Sequence, residues 1–280
     1  MHTRVQKMLA VAILTASLGA CGTAAHPEWR PAAAAPTPSR PATTTGPPTA
    51  PPTPSPTPSP APPPIPTDAE IPKKGTGKFS AAKGSTKPIG SGKTLITYRV
   101  EVETGIAWGD LTPWTPASFA ESVDTTLAGP LGWTAATKRP ITDTKQGMKN
   151  ASWRFQRVDG AEFDIRIRLA TAKTVDQLCA TAGLDTEGKY SCRFGSTVMI
   201  NLQRWLQGAP DFPFTIPEYH DGVINHEIGH ALGFRHMGCG GKGKLAPAMM
   251  QQTVALDGCL PNPYPFDEDG RFVTGPWQPS

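Results

Sequence analysis

Sixteen of the 36 residues from Pro31 to Pro66 are proline, and most of the others are Ala, Thr and Ser. Proline has no backbone N–H and a fixed φ, so such a run suits neither a helix interior nor a sheet. It also has too little apolar surface to offset the entropy of ordering it. The expectation is an extended, solvated spacer of polyproline II character. Composition therefore divides the chain into a leader over 1–20, a Pro/Ala/Thr-rich disordered linker over 21–75, and one domain over 76–280. That last stretch is long enough for a single sizeable core.

Charge excludes one class of partner. The formal net charge is +4, of which residues 1–75 supply +3 (six Lys/Arg, three Asp/Glu) and the rest +1 (21 against 20). A near-neutral domain without a basic run is a poor fit to nucleic acid.

The leader reads as an export signal. Arg4 and Lys7 form a basic start, and Met8 to Leu18 form an apolar stretch. It is short of the roughly 20 residues that a membrane-spanning helix needs. It ends in Leu18-Gly19-Ala20-Cys21, which resembles the bacterial lipobox. That resemblance implies cleavage before Cys21, lipidation of Cys21, and a domain tethered to the outer face of the cytoplasmic membrane. The other reading is a plain signal peptide with an incidental cysteine. At ~3.1 Å per residue, some 50 residues of polyproline II reach on the order of 150 Å.

Lipidation also accounts for the odd cysteine count. Of five, Cys179, Cys192, Cys239 and Cys259 remain. Four cysteines allow three pairings. The local ones, Cys179–Cys192 and Cys239–Cys259, close the shorter loops and suit an oxidising exterior. Metal binding by a cysteine pair is the alternative, but no C-x-x-C occurs.

Periodicity gives a coarse map. Thr94 to Thr104 alternates and is β-branched, so it reads as a strand. Pro116 to Ala128 carries Phe119, Val123 and Leu127 at helical spacing. Trp153 to Val158 and Glu162 to Leu169 flank Asp159-Gly160, which predicts a hairpin. Thr174 to Ala182 reads as a short helix, Thr197 to Leu202 as an apolar strand, and Pro217 to Leu232 as a helix. After Gly233 the pattern is loops and turns. Strands first and a central helix later indicate an α+β domain with a mixed sheet. The scattered tryptophans read as core. Asp267-Glu268-Asp269-Gly270 reads as a solvated acidic turn, because it lacks the rest of a calcium loop.

The stretch that carries chemistry is His226-Glu227-Ile228-Gly229-His230-Ala231-Leu232-Gly233-Phe234-Arg235-His236. Residues four apart on a helix lie about 40° apart around the axis, so His226 and His230 can reach one metal. Gly233 can take φ > 0 and turn the chain, which lets His236 return as a third ligand. Three imidazoles on Zn²⁺ leave one position for water, the mark of a catalytic site. Glu227 is placed to act as general base toward a zinc-activated water, and the reaction class that fits is amide hydrolysis without a covalent intermediate. His220, on another side of the same helix, reads as a surface residue.

These eleven residues resemble the metzincin signature HExxHxxGxxH, and HEIGHALGFRH is particularly similar to the matrixin and astacin versions. The likeness implies a metzincin-like zincin domain, zinc on His226, His230 and His236, and Glu227 as general base. It also implies a Met-turn beneath the histidines, carried by Met249 in Ala246-Pro247-Ala248-Met249-Met250, with Met250 as the alternative. A further implication is that the strand over Thr197 to Leu202 offers an edge to extended substrate, unless it is central. Met237 stands where matrixins usually carry Ser, and no Tyr follows at the astacin offset. The run from Asn225 to Pro265 also resembles a family of secreted actinobacterial lipoproteins, which brings no substrate with it.

The function expected is a lipid-anchored extracellular zinc endopeptidase acting on peptides or proteins. The alternatives are a non-catalytic zinc-binding envelope lipoprotein that binds a surface partner, and an amidohydrolase of cell-wall peptides.

Overall fold

A computed structural model describes residues 64–143, 145, 147–210 and 212–278. The leader, Cys21 and the linker as far as residue 63 lie outside the described residues. The elements are β1 (Phe79–Ala81), β2 (Thr94–Glu103), α1 (Pro116–Ala128), a 3-10 turn (Trp133–Thr137), β3 (Ile141–Asp143), β4 (Met148–Ala151), β5 (Trp153–Arg157), β6 (Ile165–Ala170), α2 (Ala172–Ala180), β7 (Cys192–Phe194), β8 (Thr197–Asn201), α3 (Leu202–Gln207) and α4 (Ile216–Ala231). This is an α+β fold with a mixed sheet.

The sheet runs β1-β2-β6-β8-β7, with β5 also paired to β2. Strands β2, β5, β6 and β8 are parallel, and β1 and β7 join antiparallel at the ends. Alternate residues point to opposite faces. Val198 and Ile200 therefore join the main core, with Phe119, Val123 and Leu127 of α1 and Ile224 and Ile228 of α4. Met199 joins a smaller cluster on the other face, with Val175 and Cys179 of α2. Parallel strands covered on both faces need such near-continuous apolar runs.

Local chemistry starts both long helices. Thr115 caps α1, its side chain accepting from Ser118 N while Ser118 Oγ accepts from Thr115 N. Thr215 caps α4 in the same way with Glu218. A proline in each first turn needs no N–H partner. Glu103, buried at the end of β2, accepts from Gly77 N, Thr171 N, Thr171 Oγ1 and Thr174 Oγ1. That carboxylate is fully partnered and ties the approach to β1 to the start of α2.

Several expectations need correction. β5 and β6 do not form a hairpin: Tyr98 of β2 pairs with Arg157 of β5 and also with Ile165 of β6. Both strands run parallel to β2, so the chain crosses from one side of it to the other instead of reversing at Asp159-Gly160. Strand β8 is central, because Val198 pairs with Ile167 of β6 and with Arg193 of β7. The edge is β7, and the idea that Thr197–Leu202 presents an edge falls. Helix α3 went unread: Asn201 ends β8 and at once caps α3, accepting from Gln203 N at 3.0 Å. Residues 64–75, read as the end of the linker, lie against the domain. Gln203 and Gln207 donate to Asp68 Oδ1 at 3.1 and 2.9 Å, and Ile71 is buried.

His220 is not a surface residue. It is 8% exposed and stacks on Trp205 at 3.5 Å between ring centroids, with Trp114 edge-on to both. Its Nε2 lies 2.7 Å from the Trp205 carbonyl oxygen, to which it donates. Burial pushes the imidazole pKa down to about 4. An unfolded histidine titrates near 6.5, so between pH 6.5 and 4 the unfolded chain takes up a proton that the folded chain refuses. Stability is full above that window and falls as pH drops through it. His220→Phe should therefore cost stability at pH 7, where the Trp205 carbonyl loses its donor, and cost less at pH 5. Urea unfolding at the two pH values measures this, and equal costs would disprove a neutral buried His220.

Candidate metal centre and its cleft

The last two turns of α4 carry His226 and His230. The helix ends at Gly233, whose φ of +99° sends the chain back. Phe234 N–H bonds Gly229 O at 3.0 Å, closing the last turn. Phe234 is then held among Trp133, Trp153, Phe272 and Trp277. Two residues on, His236 comes back to the helix, and its backbone oxygen accepts from Gln278 N at 3.0 Å.

The three imidazoles converge. Nε2 of His230 lies 3.2 Å from Nε2 of His226 and 3.1 Å from Nε2 of His236. Nδ1–H of His226 donates to Ala248 O at 2.8 Å, and Nδ1–H of His230 donates to Phe234 O at 2.9 Å. Those bonds fix the tautomers and leave the Nε2 lone pairs aimed at one another. Burial, then the neighbouring His230, pushes His226 down to about 3; burial pushes His230 down to about 4 and also lowers His236. Neutral lone pairs this close repel one another unless a cation lies between them. Three imidazole nitrogens suit zinc and its neighbours among the transition metals.

Glu227 is 7% exposed and lines the same cleft as the three histidines. Burial pushes its carboxyl up to about 7, opposed by the charge of Arg193. It can therefore hold or release a proton near neutrality. The cleft encloses about 530 Å³ between α4, the β7 edge and the 248–254 segment.

The floor is a turn. Met250 N–H bonds Pro247 O at 2.9 Å, which offers Ala248 O to His226 and drives Met249 inward. Met249 is 1% exposed and packs against Gly229, where an added Cβ would collide with its sulfur and stand 2.8 Å from Trp133 Cζ2. Met250 points into a separate cluster with Ala246 and Cys259. Of the two methionines considered, Met249 is the one beneath the helix.

Both expected cysteine pairs form. Cys179–Cys192 ties α2 to β7, and Cys239–Cys259 spans the floor turn. Sequence reading missed Asn262, buried beside that turn. Its side-chain amide donates to Ala246 O at 2.9 Å and to Tyr264 O at 2.7 Å. It also missed Asn225, whose side-chain amide donates to Pro263 O while its backbone carbonyl accepts from Trp133 Nε1. Position on the polar side of a helix or in a Pro-rich loop gave neither away. The Asp267–Gly270 stretch is a turn as expected, closed by Gly270 N–H to Asp267 O at 2.8 Å.

Two substitutions test the floor. Gly229→Ala should overpack it and cost about 1–3 kcal/mol in urea unfolding, with weaker cobalt or zinc binding. Cys239→Ser/Cys259→Ser should remove roughly 3 kcal/mol of loop-closure stabilisation and lower metal affinity through His226 and His236. Unchanged affinity in the double variant would show that the floor holds itself.

Two comparisons return nothing: no curated protein and no solved structure matches this chain. A family model described as "Protein of unknown function (DUF3152)" matches residues 65–271, from the segment whose Pro66 and Asp68 accept from Gln207 of α3 to a point past the floor turn. The match spans well over half of the sequence, and the chain belongs to that family.

Proposed function

We propose that this protein is a zinc-dependent endopeptidase of the metzincin type, anchored by a lipid on Cys21 at the outer face of the cytoplasmic membrane. The observation that carries this reading is the convergence of three Nε2 atoms beside a buried carboxyl in one open cleft. His226, His230 and His236 would hold the metal. Bound there, it would supply Lewis acidity toward a water and a substrate carbonyl.

The chain's own groups do the rest. The carbonyls of Ala248 and Phe234 keep two of the imidazoles turned toward the centre. Glu227, as a carboxylate, takes a proton from the attacking water and hands it to the departing amine. The free edge of β7 borders the cleft and can pair with an extended peptide by backbone hydrogen bonds. Met249 supports the helix from below. Two disulfides fit an oxidising compartment. Among the described residues no helix is long and apolar enough to cross a membrane.

The test is the zinc content of the full chain beside His230→Ala and Glu227→Ala, with peptide cleavage followed in parallel. The expected result is close to one zinc per chain in the wild type and in Glu227→Ala, and none in His230→Ala. Cleavage should fall by at least about 10²-fold in Glu227→Ala. Zinc without any cleavage would favour a binding lipoprotein, and cleavage confined to cell-wall fragments would favour the amidohydrolase. A folded chain without zinc would end the reading.

A further inference from the structure

The cleft is lined by charges of both signs. Lys189, Arg193 and Arg204 line it, against Asp185 and Glu227. Lys189 is paired with Glu187 at 3.1 Å, and Arg204 Nε donates to Lys189 O at 3.1 Å. Among the described residues Arg193 forms no ion pair. It stands in the middle of β7, between Cys192 and Phe194. Cys192 points inward to its disulfide, so Arg193 points out, exposed, into the cleft that holds the histidines. Glu227 and His230 line the same cleft. A charged residue on an edge strand also discourages edge pairing. Any outward charge serves that end, whereas this one faces the cleft.

We propose that Arg193 binds a carboxylate of the substrate, so that the site selects peptides carrying an acidic group beside the cleaved bond. This rests on the peptidase reading above. The planar guanidinium matches a carboxylate with two parallel hydrogen bonds, which fixes register as well as charge. Leu184, Tyr190 and Val254 are exposed on the same rim, so apolar side chains flanking the acidic group find partners there. The carboxylate comes either from an Asp or Glu side chain, as an endopeptidase requires, or from the free C-terminus of a peptide, which would make the cut that of a carboxypeptidase. Arg193 is then a specificity residue, and its loss appears in KM more than in kcat.

The experiment uses the zinc-loaded full chain, Arg193→Gln and Arg193→Glu, on matched peptides. The peptides differ at one position near the cut (Glu, Gln or Lys), each with a free or amidated C-terminus. A second arm measures fluorescence anisotropy of the same peptides on Glu227→Gln, with and without Arg193→Gln, which needs no turnover. The wild type should favour Glu over Gln by about tenfold, the size of one charge-assisted pair. Arg193→Gln should bring that ratio near one, and Arg193→Glu should shift preference to Lys. A preference that follows the free C-terminus assigns the carboxylate to that source. Should the wild type cut nothing, the peptidase reading falls, and tighter binding of the carboxylate peptides that Arg193→Gln abolishes still upholds the role of Arg193. Equal or absent binding of the Glu and Gln peptides overturns the proposal, as does a preference that survives Arg193→Gln.

Discussion

A helix can offer two ligands four residues apart, but a third must be brought back after the helix has ended. In this chain the return depends on the contact between Met249 and Gly229. Gly229 has no side chain, so the floor turn can press against the helix between His226 and His230. With the turn that close, Ala248 O reaches His226, and Met249 O accepts from Met237 N at 3.0 Å, one residue past His236. One packing contact thereby fixes the ring of the first histidine and the backbone of the third.

The rest of the domain holds that contact in place. The underside of α4 is buried against the sheet through Ile224 and Ile228. The aromatic group around Phe234 fixes the exit of the helix. Asn262 and the Cys239–Cys259 bond hold the turn from outside. On the opposite wall, the Cys179–Cys192 bond ties the short edge strand to α2. An edge strand of three residues has few ladder bonds of its own, so a covalent tie is a physical reason for Arg193 to keep a fixed place over the cleft. The two disulfides therefore support the two walls of one cleft.

Local signals were legible. The span of α1 was read from Phe119, Val123 and Leu127 and its Pro-led start, and α4 was placed within one residue at each end. The cysteine pairing followed from loop length. What failed was non-local. Asp159-Gly160 favours a tight turn, yet β5 and β6 each gain more by lying parallel to β2 in the core than by pairing with each other. His220 looked polar because its helix side was judged without knowing that Trp205 and Trp114 pack there. Helix α3 was hidden because a single residue, Asn201, both ends a strand and caps a helix.

Helix geometry set that His226 and His230 share one face with Glu227 beside the first, and Gly233 allowed a turn by which His236 could join them. Composition likewise set a proline-rich run apart from a stretch with enough apolar residues to bury a core. Only the tertiary structure decided which methionine lies beneath the histidines, which strand is the edge, and which cations line the cleft. Those outcomes depend on pairing and packing between residues far apart in the chain. Such contacts are settled by the total apolar surface buried, and no short window of sequence contains that sum.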